Sequence, residues 1–133
     1  MSGTAIIAEL LLVDSWFRDL AAAGRLKEDR LPENAPLPAV LLATVSSIDR
    51  LTLEAGEFTR SADRVAVTVR AASARGRKEA IDRIRAACKD KRGDLAGCFR
   101  VSVTTAGRGP SMTGPADSFE QTQDFRVSFD AAV

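Results

Sequence analysis

The stretch from Arg64 to Lys91 constrains the fold more than any other part of the chain. Its first half, Arg64-Val-Ala-Val-Thr-Val-Arg-Ala71, alternates. Val65, Val67 and Val69 point one way, and Arg64, Ala66, Thr68 and Arg70 the other. A period of two over such a run predicts a half-buried strand. Two residues later the spacing changes. Ile81, Ile84 and Cys88 recur at helical intervals within residues 73–88, which predicts a basic amphipathic helix. A strand feeding directly into a helix places the chain in a mixed α and β class.

At 133 residues the chain suits one domain, 1–133, and an apolar share of 45% is enough for a real core. Acidic and basic residues nearly balance, with a formal net charge of +1. Bulk charge therefore does not make it a polyanion binder, and any nucleic-acid contact must come from a local patch. The absence of histidine excludes Ser-His-Asp and Cys-His nucleophile systems and removes the commonest general base and metal ligand. Asp14 and Asp19 fall on a helix, and Glu28, Asp29 and Glu33 in a loop, with no spacing that predicts convergence. Cys88 and Cys98 are too few for a disulfide scaffold and read as buried, reduced thiols; without histidine they make no credible zinc site. No catalytic, cofactor or metal site is predicted. The apolar run Ile6–Val13 contains Glu9, lacks a basic lead-in and is far too short to span a membrane. The expectation is a chain made and folded in the cytoplasm.

Along the chain, residues 4–23 read as one helix with Ile6, Leu10, Val13, Phe17 and Leu20 on a face, stopped by Gly24. Leu11 and Leu12 fall off that face and Trp16 sits at its margin. Either the rest of the domain or a neighbouring subunit covers this surplus, and Leu12 and Trp16 are the residues a subunit interface would use. Residues 25–38 read as a charged, proline-rich loop. Ala39–Ser46 is apolar on both faces, as in a central strand covered by helices. Ile48–Arg60 reads as a hairpin-like excursion, with Leu51 and Leu53 alternating and a turn at Glu54–Glu57. After the basic helix, Gly93 is the expected stop. A strand Cys98–Thr104 with Phe99, Val101 and Val103 on one side follows, then a flexible Gly/Pro-rich connection at 106–117. The last strand spans Ser118–Asp130 with Phe125, Val127 and Phe129 inward and Gln121, Gln123, Arg126 and Ser128 as polar neighbours. The predicted class is α+β: a mainly antiparallel sheet of four to five strands with two helices packed on one face.

Between Arg75 and Arg92, eight positive residues face three negative ones. On a helical wheel Lys78, Arg85, Lys89 and Arg92 share a stripe. Such a stripe suits a solvated face supported by Glu79–Arg83, an acidic neighbour, or the phosphates of a DNA channel. Asp117, Glu120, Asp124 and Asp130, in the region of the last strand, supply an acidic surface for such a neighbour. Gly107–Gly114 has the wrong glycine spacing for a phosphate loop and precedes a strand. It reads as a connection whose Arg108 and Met112 would suit a contact arm toward a partner ring.

The order and texture of these segments resemble the tail-terminator, or tail-completion, proteins of long-tailed bacteriophages and gene-transfer particles. Residues 35–46 resemble that family's proline-led approach to its first strand. Residues 63–73 and the helix to Cys88 resemble its strand and second helix, and residues 124–129 its final strand. Ala39 stands where members often have an aromatic, and the loop before Pro36 is unusually charged. The resemblance implies a structural virion protein at the tail–neck junction, without cofactors. It implies a homo-oligomeric ring, a hexamer, that caps the tail tube and stops its polymerisation. The ring would contact the tail tube protein and a head-completion or neck protein, and pass DNA without sequence-specific contact. No membrane is involved. Two other readings stay open: a head–tail connector or neck protein, and a small nucleic-acid-binding α+β domain.

Overall fold

The computed structural model describes residues 2–50 and 58–132. The alternating run is the central part of a longer strand, β3 (Phe58–Ala71), and the basic helix follows as α3 (Ala74–Cys88). Ser73 caps α3: its Oγ accepts the Gly76 N–H at 3.0 Å, which satisfies one of the orphan donors of the first turn. β7 (Phe119–Ala132) runs antiparallel to β3 over the full length of both, from Phe58 opposite Ala132 to Ala71 opposite Phe119. β2 (Ala39–Arg50) lines the other side of β3, and β1 (Leu26–Glu28) runs parallel to the start of β2. Beyond β7 lie β5 (Cys98–Arg108) and, at the far edge, β4 (Lys91–Leu95). β6 (Met112–Thr113) pairs with β7 where β5 leaves off. The sheet order is β1-β2-β3-β7-β5-β4.

The α+β class is as expected, but the sheet is mixed and has seven strands among the described residues rather than four to five. The additional strands, β1, β4 and β6, are short and largely polar, so they carry no hydrophobic period to read. Among the described residues three α-helices, not two, form the layer. The expected single helix over 4–23 breaks into α1 (Gly3–Leu11) and α2 (Ser15–Ala22). Asp14 causes the second start: its Oδ1 accepts the Trp16 N–H at 3.0 Å. The break changes which residues face inward. Leu11 is fully buried, whereas Val13 is 78% exposed. Gly24, at φ 74°, ends α2 as predicted.

All three helices pack on one face of the sheet. Ile6, Ile7, Leu11, Phe17, Ile81 and Ile84 meet Val65, Val67 and Val69 of β3 and Phe125 and Val127 of β7. The start of β2 is therefore covered on one face only, not two. Val40 and Leu42 join the core, while Leu41 and Ala43 are half-buried on the open face beside Thr68 and Ala66. From Thr44 to Asp49 every residue of β2 is exposed. The excursion expected between Ile48 and Arg60 is flanked by paired strands, with Ile48 opposite Ala62; Leu51, Leu53 and Glu54–Glu57 lie outside the described residues.

Two further boundaries differ from expectation. α3 ends at Cys88, the turn is made by Asp90 at φ 55°, and Gly93 sits inside β4. In β5 a bulge between Phe99 and Ser102, with Arg100 at φ 48°, turns Phe99 outward to 42% exposure while Cys98 and Val101 are buried. In the 106–117 connection, the Gly109 N–H bonds the Thr122 carbonyl at 2.8 Å, β6 forms, and a 3-10 turn spans Pro115–Asp117.

α1 is anchored to the sheet at its N-terminus. Ser2 Oγ accepts the Ala5 N–H, and Asp63 Oδ2 on β3 accepts the Gly3 N–H at 2.8 Å. A carboxylate at this position also opposes the positive end of the helix dipole.

Candidate assembly surfaces

The basic stripe does not survive as a unit. Because α3 ends at Cys88, Lys89 lies just past the helix and Arg92 lies on β4. Arg85 turns inward: its guanidinium donates at 2.9 Å to Oε1 of Gln123, a fully buried side chain of β7. The Gln123 amide nitrogen in turn donates to the carbonyls of Gly107 and Asp124. Arg85 thus serves the interior, and the exposed cations are Lys78, Lys89 and Arg92, whose side chains have no partner among the described residues. Gln123 was missed as a structural residue although its parity with Phe125 and Val127 places it on the buried face. Arg83 does not pair with Glu79. It bonds Asp14 at 3.1 Å and lies 5.4 Å over the Trp16 ring, tying α3 to the break between α1 and α2, while Glu79 pairs with Arg75.

Three of the four acids expected to meet a neighbour, Glu120, Asp124 and Asp130, lie on the open face of the sheet and are matched by arginines within the chain, whereas Asp117 is exposed in the turn before β7. Arg70 bonds Glu120 at 2.8 Å, Arg64 bonds Asp124 at 2.8 Å, and Arg60 reaches Asp130 at 3.3 Å. Arg100 also bonds Asp130, and Thr68 and Thr122 share a 2.8 Å hydrogen bond. The Arg100 guanidinium, aided by that of Arg60, holds the Asp130 carboxyl below its ordinary range despite burial. The face presents a cross-strand charge ladder between β3 and β7, with Arg126 exposed beside it.

A groove of about 460 Å³ lies on the helix layer, lined by Leu10, Val13, Asp14, Arg83, Ala86, Ala87 and Lys91. Leu12, 37% exposed, is next to this region; Trp16 is half-buried edge-on to Phe17 at 4.9 Å. Arg108 and Met112 are exposed at the end of β5 and in β6, Met112 at 61%. Cys88 and Cys98 are buried free thiols, and burial pushes Cys88 up to about 12. Among the described residues no acid, cysteine or histidine cluster could hold a metal, and no helix is long and apolar enough to cross a membrane. What the molecule offers is surface: two unlike sheet edges, an apolar groove, a charged open face and a short arm.

Residues 5–130 match the model of the family described as tail completion protein gp17. The chain belongs to that family. This tail completion protein is therefore a structural component of a virion tail. The same fold occurs in a chain of the virion of a native gene transfer agent (GTA) particle. The match has a TM-score of 0.66 and 14% identity, covering 98% of this chain and 96% of that one. No curated protein sequence matches it. As a tail component it works by touching other tail proteins, so its surfaces are its functional sites.

Proposed function

We propose that the protein is the tail terminator: copies assemble as a ring, a hexamer, on the end of the finished tail tube. The ring stops polymerisation of the tube and offers its other side to the head-completion or neck protein. DNA passes through the pore without base-specific contact. The family match across residues 5–130 carries this reading. The sheet supports it. Its two edges, β1–β2 and β4, differ in sequence and exposure, so contact between them is heterologous, and heterologous contacts with the right rotation close into rings. In this reading Leu12 and Trp16 border a subunit contact, and Arg108 and Met112 reach toward the adjoining ring. Lys78, Lys89 and Arg92 face an acidic partner or the DNA.

Particles produced without this chain test the proposal by the length distribution of their tails. Overlong tubes without heads are expected. Tubes of normal length that lack heads would identify a connector instead.

A further inference from the structure

The open face of the sheet carries more arginine than its acids can match. Arg60, Arg64, Arg70 and Arg100 share three carboxylates, those of Glu120, Asp124 and Asp130. Arg92, Arg108 and Arg126 lie on the same face, exposed, and have no partner among the described residues. Register places two of them. Arg126 stands directly opposite Arg64, and Arg92 shares a cross-strand row with Ser102, Ser128 and Ala62. Arg108 lines a recess with Arg64, Thr122 and Asp124. Asp94 of β4, which accepts the Arg100 N–H at 3.2 Å, adds one more acid. On the open side of β3, β7, β5 and β4, seven cations therefore meet four acids, a balance of +3, in a chain whose formal net charge is +1. The remainder of the chain is net acidic.

Nothing in the packing asks for this excess. Like charges directly opposite on neighbouring strands are destabilising. Asp124 engages Arg64 at 2.8 Å, which leaves Arg126 against a guanidinium with no acid of its own. Between the arginines the face has a floor of short, half-buried side chains: Ala62, Ala66, Ser102, Thr104, Thr122 and Ser128. The exposed large apolar residues on this side, Ile48, Phe99 and Met112, lie at its margins. A stable protein interface concentrates apolar side chains at its centre and is depleted of charge there. Here the centre is charged and the margins are apolar.

We infer that this face is the one that meets DNA, through a sequence-independent contact of Arg126, flanked by Arg92 and Arg108, with the phosphates of a duplex. Phosphate supplies the missing counter-charge, and guanidinium geometry suits it. A uniform polyanion calls for an array of cations rather than a shaped apolar pocket. In a ring this turns the sheet face toward the pore and the helix layer, with Lys78 on α3, away from it. The inference rests on the ring reading and names the surface that its pore presents.

The test measures binding of the purified protein to a labelled DNA duplex of mixed sequence across a salt series, with melting curves of the same samples. Wild type should bind at low salt and weaken steeply as salt rises. Arg126→Gln should weaken binding about fivefold at low salt and reduce the slope of log affinity against log salt by about one. It should melt at or above wild type, because the repulsion from Arg64 is gone. Lys78→Gln should bind as wild type does. No salt-dependent binding by wild type, or a loss in Lys78→Gln as large as in Arg126→Gln, would overturn the inference. So would an Arg126→Gln protein that melts below wild type, or one that binds DNA normally while fewer tube ends carry its ring, which would give the face to a protein. Any of these with rings present at wild-type tube ends removes this face alone. Rings absent from wild-type tube ends would overturn the ring, and the pore placement with it, whatever the binding assay shows.

Discussion

Gly3→Ala should destabilise the fold, although the usual rule for a helix is the reverse. In an exposed helix, alanine is favoured over glycine by up to ~1 kcal/mol. Here a Cβ at position 3 would sit 2.8 Å from Cβ of Asp63 and 2.9 Å from Cγ2 of Val65. Neither atom is the tip of a flexible side chain, and both belong to the middle of the sheet. Overpacking of this kind costs ~1–3 kcal/mol. Any shift of α1 that relieves it stretches the 2.8 Å bond from the Gly3 N–H to the Asp63 carboxylate, and a bond to a charged group contributes ~1.5–3 kcal/mol. After the propensity gain, the net loss is about 2–4 kcal/mol, which lowers the melting temperature of a domain of this size by roughly 10 °C. Thermal and urea unfolding of the purified variant measure this. In an Asp63→Ala background the Gly3→Ala penalty should shrink, because part of the clash and the bond are already gone. A variant that melts at or above wild type would refute the close-approach argument.

Gln123→Leu should cost ~2–3 kcal/mol, because it leaves the Arg85 guanidinium and the Gly107 carbonyl without partners; adding Arg85→Met should recover part of that loss in urea unfolding. For the same reason Arg85→Glu should lower stability, whereas Lys78→Glu, Lys89→Glu and Arg92→Glu should leave the melting curve within ~0.5 kcal/mol of wild type and act only on assembly. Iodoacetamide at pH 8 should label Cys88 only after unfolding, since a thiol near 12 is about one part in ten thousand thiolate there. Asp130 is held below its unfolded value, so its contribution is complete above about pH 4 and is lost as pH falls through the folded value. The stability gap between wild type and Asp130→Asn should therefore be widest near neutrality and close in acid.

What was legible in the sequence follows from where periodicity is strong. β3, α3 and β7 bury one face along most of their length, and Val65–Val69, Ile81–Cys88 and Phe125–Phe129 announce it. The helix break was hidden because Leu10 to Val13 is apolar all round, so no period marks where the axis turns. Asp14 was the available cue, an N-cap residue in the middle of an apolar run. The short strands β1, β4 and β6 owe their existence to a neighbour's edge rather than to their own residues. The basic stripe was misread for a related reason. A wheel assumes that the helix continues, and it cannot show that Arg85 has a buried amide to reach for. The acids of β7 looked unpaired because their arginines lie 30 to 70 residues away in sequence, on β3 and β5.

The charge ladder on the open face does something the hydrophobic face cannot. Slipping β7 by one residue against β3 would throw every valine outward and is excluded by burial alone. Slipping by two keeps each side chain on its own face, so the apolar alternation alone does not forbid it, and on the helix side only the Arg85–Gln123 bond marks the change. The open side does forbid it. In either direction, Arg70 leaves Glu120, Arg60 leaves Asp130, and Thr68 leaves Thr122. The ladder thus selects one alignment among those the core would accept, and it holds the two longest strands in a single phase from end to end.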